Sequence, residues 1–251
     1  GPVFATFDGG YRRFVDALAA ASRARVRTGS ECVGLAREGA GYAVSVRAGG
    51  ATSTESADLV VVALPVPQAA PLLASTGDGR DAAAELARIR TASSAVVAME
   101  VDRALDLPEH SGVLVATDEP VPFKAMTFSS RKWPHLDTRP GHLVRVSFGR
   151  LDDDGVLRHD DAALTRMAGA ALAGVCGAEP TVLHSRVRRW EDGLPEIGPG
   201  HTARVEGIRG ELNRRLPGVE LVGAATEGVG VPACIGSARA AAHRLARQWQ
   251  D

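Results

Sequence analysis

Apolar and polar residues alternate at period two over 32–37, 42–47, 94–101, 112–116, 124–128, 143–148 and 182–190, and each of these segments predicts a strand with one covered face. Shorter strands are predicted over 2–7 and 25–28. The clearest alternation is Leu143-Val144-Arg145-Val146-Ser147-Phe148, which puts Arg145 on the outer or ligand-facing side of its strand. The turns Glu38-Gly39-Ala40-Gly41 and Ala48-Gly49-Gly50 link the early strands into a meander. That meander feeds a different pattern, Leu59-Val60-Val61-Val62-Ala63-Leu64, whose unbroken apolar run predicts a strand over 58–64 covered on both faces and ended by Pro65. Period-3.6 patterns predict helices after Asp8-Gly9-Gly10 (Phe14, Val15 and Leu18 on one face) and over 68–75, 81–90 and 162–175. Val205, Ile208, Leu212 and Leu216 mark one more.

The last third holds the most particular stretch, Val219 to Gly236, read as strand, glycine turn and helix. Leu221 and Val222 close a short strand, and Gly223-Ala224-Ala225 is small enough for a ligand to lie against the main chain. Gly228 and Gly230 permit positive φ, and Pro232 suits the first position of a helix running to about 248. The first N–H groups of that helix favour a negative charge or a polarised oxygen.

With 251 residues, 45% of them hydrophobic, the chain can bury a substantial core arranged as two lobes. A net charge of -1, from 29 basic and 30 acidic residues, argues against a nucleic-acid surface. Cys32, Cys176 and Cys234 are far apart and carry neither disulfide nor zinc spacing, which fits a reducing cytoplasm. The histidines have no metal-ligand or triad spacing, so no metal is expected, and Leu151-Asp152-Asp153-Asp154-Gly155 lacks the spaced ligands of a calcium loop and reads as a solvated turn. Apolar runs are interrupted by Pro65, Pro67 and Pro71 and are too short to span a bilayer.

The run Gly223-Ala-Ala-x-Glu-Gly-Val-Gly-Val-Pro-Ala-Cys-Ile235 resembles the C-terminal flavin-binding signature of the bacterial porphyrinogen oxidases, the protoporphyrinogen and coproporphyrinogen III oxidases. Three further segments are similar to that family: Asp58-x-Val-Val-x-Ala-x-Pro65, Lys124 to His135 (like actinobacterial coproporphyrinogen oxidases), and Arg189-Trp190 to His201. The resemblance implies an α/β (α+β) fold: part of a two-dinucleotide-binding-domain flavoprotein with a mostly antiparallel substrate lobe. It divides the chain into 1–90, the middle of the FAD-binding domain, 91–188, the substrate lobe, and 189–251, the C-terminal FAD-binding segment.

By the same resemblance, FAD contacts fall to Val33 near the adenine, Ala63, Trp190, Ala224, Gly228, Gly230, Val231, Pro232 and Ala233. Lys124, Arg131, Lys132 and Arg145 are the candidates to hold the propionates of a porphyrinogen. The implied reaction is aromatisation of that macrocycle by flavin with O2 as acceptor, so no side chain is needed as a catalytic base. Four propionates on coproporphyrinogen III against two on protoporphyrinogen IX favour the former for so basic a set.

The family's dinucleotide fingerprint G-x-G-x-x-G does not occur in this sequence. The expectation is therefore of the C-terminal portion of a flavoprotein whose N-terminal half is its natural partner, with flavin weak or absent in this portion alone. Peripheral membrane contact stays open. The rival readings are a flavin amine oxidase or carotenoid desaturase, against which Ser129-Ser130-Arg131-Lys132-Trp133 argues, and a non-catalytic tetrapyrrole-binding or scaffold module.

Overall fold

The computed structural model describes residues 4–153 and 155–250. In chain order the first elements are α1 (Tyr11–Ala21), β1 (Ser30–Glu38), β2 (Gly41–Ala48), β3 (Ala51–Ala57), β4 (Val60–Val62), α2 (Val66–Ala74) and α3 (Arg80–Ala87). A second group follows: β5 (Thr91–Val101), β6 (Gly112–Leu114), β7 (Phe123–Phe128), the single turn α4 (Ser129–Lys132), β8 (His142–Phe148), α5 (Asp161–Cys176) and β9 (Val182–Pro195). The chain closes with α6 (His201–Arg215), β10 (Val219–Leu221), the short α7 (Ala224–Glu227) and α8 (Val231–Gln250). The fold is mixed α/β with mostly antiparallel strand pairing.

Strands β5 to β9 form one antiparallel sheet in the order β6-β7-β8-β5-β9. Its inward positions, among them Val97, Met99, Phe128, Val144, Val146 and Phe148, pack against Leu164, Ala168 and Leu172 of α5. That helix is well bounded. The Asp160 carboxylate accepts a hydrogen bond from the Ala163 N–H at 2.7 Å, and Gly177 ends it in the left-handed region.

The remaining elements build a second core from Leu35 and Tyr42 of the meander, Val62, helices α2, α3 and α6, and Val219 and Leu221 of β10. Here β10 and β4 run parallel as a two-stranded ribbon, Val219 opposite Val60 and Leu221 opposite Val62. Bidentate contacts of 2.6 and 2.8 Å from Arg244 of α8 to the buried Glu220 tie the C-terminal helix to this ribbon. The carboxylate raises the guanidinium's pKa above its ordinary value, first through the hydrogen bond.

Several expected elements differ. Of the strand expected over 2–7, residues 4–7 are irregular, while 2 and 3 lie outside the described residues. Segment 25–28 is irregular too: it finds no backbone partner, and Arg27 instead reaches Glu55 of β3 at 2.7 Å. The third meander strand is β3, whose Ala-Thr-Ser-Thr-Glu-Ser-Ala sequence shows no apolar alternation. It is set by the hairpin turn, where Gly49 and Gly50 both take positive φ (56° and 82°) and bring Ala51 opposite Ala48. The run at 58–64 gives only three strand residues, and only one face is covered: Val62 packs in the core at 2% exposed, while Val61 is 50% exposed. In the turn at 151–155, Asp154 lies outside the described residues. Among the described residues no helix is long and apolar enough to cross a membrane, all three cysteines are free, and no acidic, His or Cys cluster could hold a metal.

Candidate functional site

Two parallel strands aim their carboxyl ends at the same space, the position at which open α/β sheets take ligands. Ala63 and Leu64 leave β4, and Val222, Gly223 and Ala224 leave β10; between them lies a hollow of about 410 Å³. Its far wall comes from the sheet lobe, as Thr91 at the start of β5 and Asp192, Gly193 and Pro195 at the end of β9. Cys234 and Ala238 of α8 close one side.

The glycine turn in this hollow is held by its own side chains. Gly223 has φ 112° and Gly228 φ 128°, values that disfavour any residue with a Cβ. The Thr226 hydroxyl donates to the Gly223 carbonyl at 2.8 Å; with its proton so used, it accepts from the fully buried Ser237 hydroxyl of α8, also at 2.8 Å. Arg209 of α6 pairs with Glu227 at 2.8 Å, and the Cys234 thiol points at the Gly228 carbonyl, 3.7 Å away. Gly230 departs from the sequence reading: its φ lies outside the left-handed range, and it serves as the cap whose carbonyl accepts the Cys234 N–H at 3.0 Å. The N–H groups of Val231 and Ala233 therefore have no partner within the helix, and Pro232 has none to offer.

Of the cofactor positions read from sequence, Ala63 and Ala224 line this hollow, and Gly228, Gly230, Val231, Pro232 and Ala233 form the turn and helix start beside Cys234. Val33 lies elsewhere, in a shallower hollow of about 730 Å³ between β1 and α2 that shares Leu64 with the first. Trp190 stands on β9 two residues before Asp192, half exposed, with the Arg188 guanidinium 5.2 Å from its ring centre.

The basic candidates do not gather at one point. Arg145 projects from β8 onto the face of the sheet opposite α5 and is exposed. Lys124 sits at a bulge in β7, where burial and then Arg150 lower its pKa. Arg131 and Lys132 lie past the other end of β7: Arg131 donates to the Leu107 carbonyl at 3.0 Å, and Lys132 stands over the rings of Phe4 (4.7 Å) and Trp133 (5.5 Å). Sequence reasoning missed Thr91, Asp192, Gly193 and Cys234 in the hollow, and Arg186 and Arg188 on the sheet. The alternation Arg186-Val187-Arg188 carries the same signal that singled out Arg145.

With this geometry in view, the comparisons are consistent with one another. The coproporphyrinogen III oxidase of Mycobacterium leprae is 39% identical over 246 residues, covering 98% of this chain and 52% of that protein. The enzyme of the same name from Bacillus subtilis is 27% identical over 219 residues, covering 86% and 45%. Among solved structures, a putative protoporphyrinogen oxidase from Exiguobacterium superposes with TM-score 0.83 at 28% identity, over 96% of this chain and 51% of that one. The chain thus spans about half the length of the curated relatives it matches. Residues 1–246 match the family described as flavin containing amine oxidoreductase, and this chain belongs to that family.

Proposed function

We propose that this chain supplies the C-terminal flavin cradle and the substrate lobe of an FAD-dependent oxidase that converts coproporphyrinogen III to the porphyrin. The observation that carries the reading is the hollow at the carboxyl ends of β4 and β10, floored by Gly223 and Ala224 and walled by Thr91 of β5 and Asp192, Gly193 and Pro195 of β9. A flavin ring fits the residues present: a Cβ built on Gly223 would meet nothing within 4 Å, so the glycine leaves open the space a flat ring needs, and the lining is mostly apolar, with Thr91 and Asp192 as its polar side chains. Bound flavin would supply the redox chemistry, accepting hydride from the macrocycle and passing the electrons to O2 as H2O2.

The chain's own contribution is placement. Ala63, Ala224 and Cys234 shape the wall, and the Val231 and Ala233 N–H groups lie where negative charge on a ring edge is stabilised. Segments 1–90 and 189–251 make the cradle and 91–188 the substrate roof in this reading, with Val33 toward the adenine end. A polypeptide equivalent to the other half of the relatives' length would complete the nucleotide site, and the working compartment is the cytoplasm. Coproporphyrinogen is favoured by the 39% identity, over 98% of this chain, to the mycobacterial enzyme named for it.

The test uses the protein expressed from the uninterrupted gene, assayed with FAD and O2 for porphyrin fluorescence from each porphyrinogen and for H2O2. Faster turnover of coproporphyrinogen III supports the reading; an FAD-loaded protein that oxidises neither substrate overturns it. The 251-residue chain alone is expected to purify without stoichiometric flavin, read from its visible absorbance.

A further inference from the structure

We propose that Arg145, Arg186 and Arg188 form the carboxylate grip for the tetrapyrrole, on the sheet face turned away from α5. The inference rests on the porphyrinogen-oxidase reading and names the residues that hold the substrate's acidic side chains.

Strand register puts these side chains on one surface. Ala98 of the central strand β5 pairs with Arg145 of β8 on one side and with Arg186 of β9 on the other. Residues directly opposed across an antiparallel pair point to the same face, so the two guanidinium stems rise from that face with their Cα atoms roughly 10 Å apart and a methyl group between them. One row along, Val96 lies between Ser147 and Arg188, and one further, Ser94 lies opposite Trp190. Arg186, Arg188 and Trp190 thus follow one another on the same side of β9 at steps of about 7 Å.

The opposite side of the same strand behaves differently. There Val187 packs on the core, and Arg189 is committed to Asp161 and to the Leu157 and His159 carbonyls. Arg145, Arg186 and Arg188 are all exposed and, among the described residues, pair with no carboxylate. Glu100, one row beyond Ala98 on their face, is already engaged by Arg139 and the Gly141 N–H at 3.1 Å each. Three uncompensated guanidiniums around a floor of Val96 and Ala98 match a flat, apolar molecule with several carboxylates at its rim. The face also adjoins the flavin hollow, because Trp190 is followed within two residues by Asp192 of the hollow's wall. Of the cations read from sequence, Arg131 and Lys132 have partners within the chain and Lys124 is partly buried at the β7 bulge, which leaves Arg145 as the member of that set best placed for the grip.

The experiment titrates the 251-residue chain with coproporphyrin III, the stable tetracarboxylate, and with its tetramethyl ester, following the porphyrin absorbance. Arg145→Ala, Arg186→Ala and Arg188→Ala are compared with Arg88→Ala, an exposed change at the end of α3 and outside the sheet, and unchanged melting curves check that each variant folds. The expected result is tighter binding of the free acid than of the ester. Each of the three alanine changes should weaken the acid about tenfold, the size that follows from removing one charge-assisted hydrogen bond to a carboxylate, with Arg88→Ala silent. Equal binding of acid and ester, no acid binding to the wild-type chain, or variants within about twofold of wild type would each overturn the grip. Porphyrinogen oxidation by the gene-length protein is measured in parallel. Turnover with silent arginines sinks this inference alone, whereas arginine-dependent binding without turnover sinks the oxidase reading and leaves the grip standing.

Discussion

Val97 and Val61 each sit inside an apolar strand, yet Val97 is 0% exposed and Val61 50%. The difference lies first in the face each occupies, since Val62, next to Val61 on β4, is 2% exposed, and then in what covers each strand. Strand β5 has β8 on one edge, β9 on the other and α5 beneath, so its core is closed by residues 95 to 187. Among the described residues strand β4 has β10 as its one strand neighbour, and helix α1, with Val15 and Leu18 exposed, has no fully buried residue. Uncovered apolar side chains also cluster at the end of β4 and at the start of α8, as Leu64, Val229, Val231 and Ile235. The sheet lobe closes its core with its own elements, although Leu114 and Trp190 stay exposed; the other lobe presents apolar faces that a ligand or a further polypeptide would cover. Leu64, at the end of β4, lines the proposed flavin cradle, whereas the proposed tetrapyrrole grip lies on the open face of the sheet lobe.

The largest effect should separate the two lobes directly. Phe128→Ala removes a fully buried ring from the sheet core and should cost about 3–5 kcal/mol, read as a shift of the urea midpoint. Leu18→Ala on α1 should stay within about 0.5 kcal/mol, because that side chain is exposed on a helix with no fully buried residue. Equal losses would end the contrast.

Inside the open lobe the glycine turn supplies a finer test. Gly223→Ala forces a Cβ onto φ 112° and should cost about 1–3 kcal/mol in melting stability, besides filling the space assigned to the ring. Gly230→Ala meets only the Pro232 Cδ, 3.8 Å away, at an ordinary φ, and should change stability by less than about 0.5 kcal/mol. In the gene-length protein, flavin content should fall with the first substitution and not with the second; the reverse order would return the role to Gly230.

The sheet lobe was the more legible of the two for the reason that it is the more complete. Strands such as Leu143-Val144-Arg145-Val146-Ser147-Phe148 have one face buried by their own chain, and that burial writes the alternation. Strand β3, exposed on both sides, has no such pattern and depends on the Gly49-Gly50 turn. The run at 58–64 misled because an apolar run reports what the residues can bury, not how many neighbours this chain supplies. At the site, the motif from Gly223 to Ile235 was visible as a string of small residues, and Ala63 and Ala224 do meet in one hollow. The arrangement of the arginines was not visible, since it depends on the register of β8, β5 and β9, and a single sequence carries no cross-strand register.

Acid should act from the closed lobe, by a smaller effect. The His142 side chain is buried, its Nδ1 has no hydrogen-bond partner, and burial followed by Arg103 and Arg131 pushes its pKa below the ordinary 6.5. Its neighbour in the fold, Glu100, is raised by burial, but the Gly141 N–H and Arg139 outweigh that and hold the carboxyl below 4.5. Both folded values are depressed, so both contributions have one sign: the unfolded chain takes up each proton first, and stability falls with pH. The His142 contribution is complete above 6.5 and is lost as the pH drops through its folded value; that of Glu100 is complete above 4.5 and is lost below. Glu55 of the meander is also depressed, through its hydrogen bond to Arg27, but it is exposed and should contribute little. Melting temperature against pH should therefore descend in two steps, the upper flattened in His142→Gln and the lower in Glu100→Gln. Addition of about 0.5 M NaCl should leave both steps in place, because the groups are buried, whereas a descent that salt abolished, or that neither substitution altered, would move the acid sensitivity to the exposed ion pairs of the open lobe.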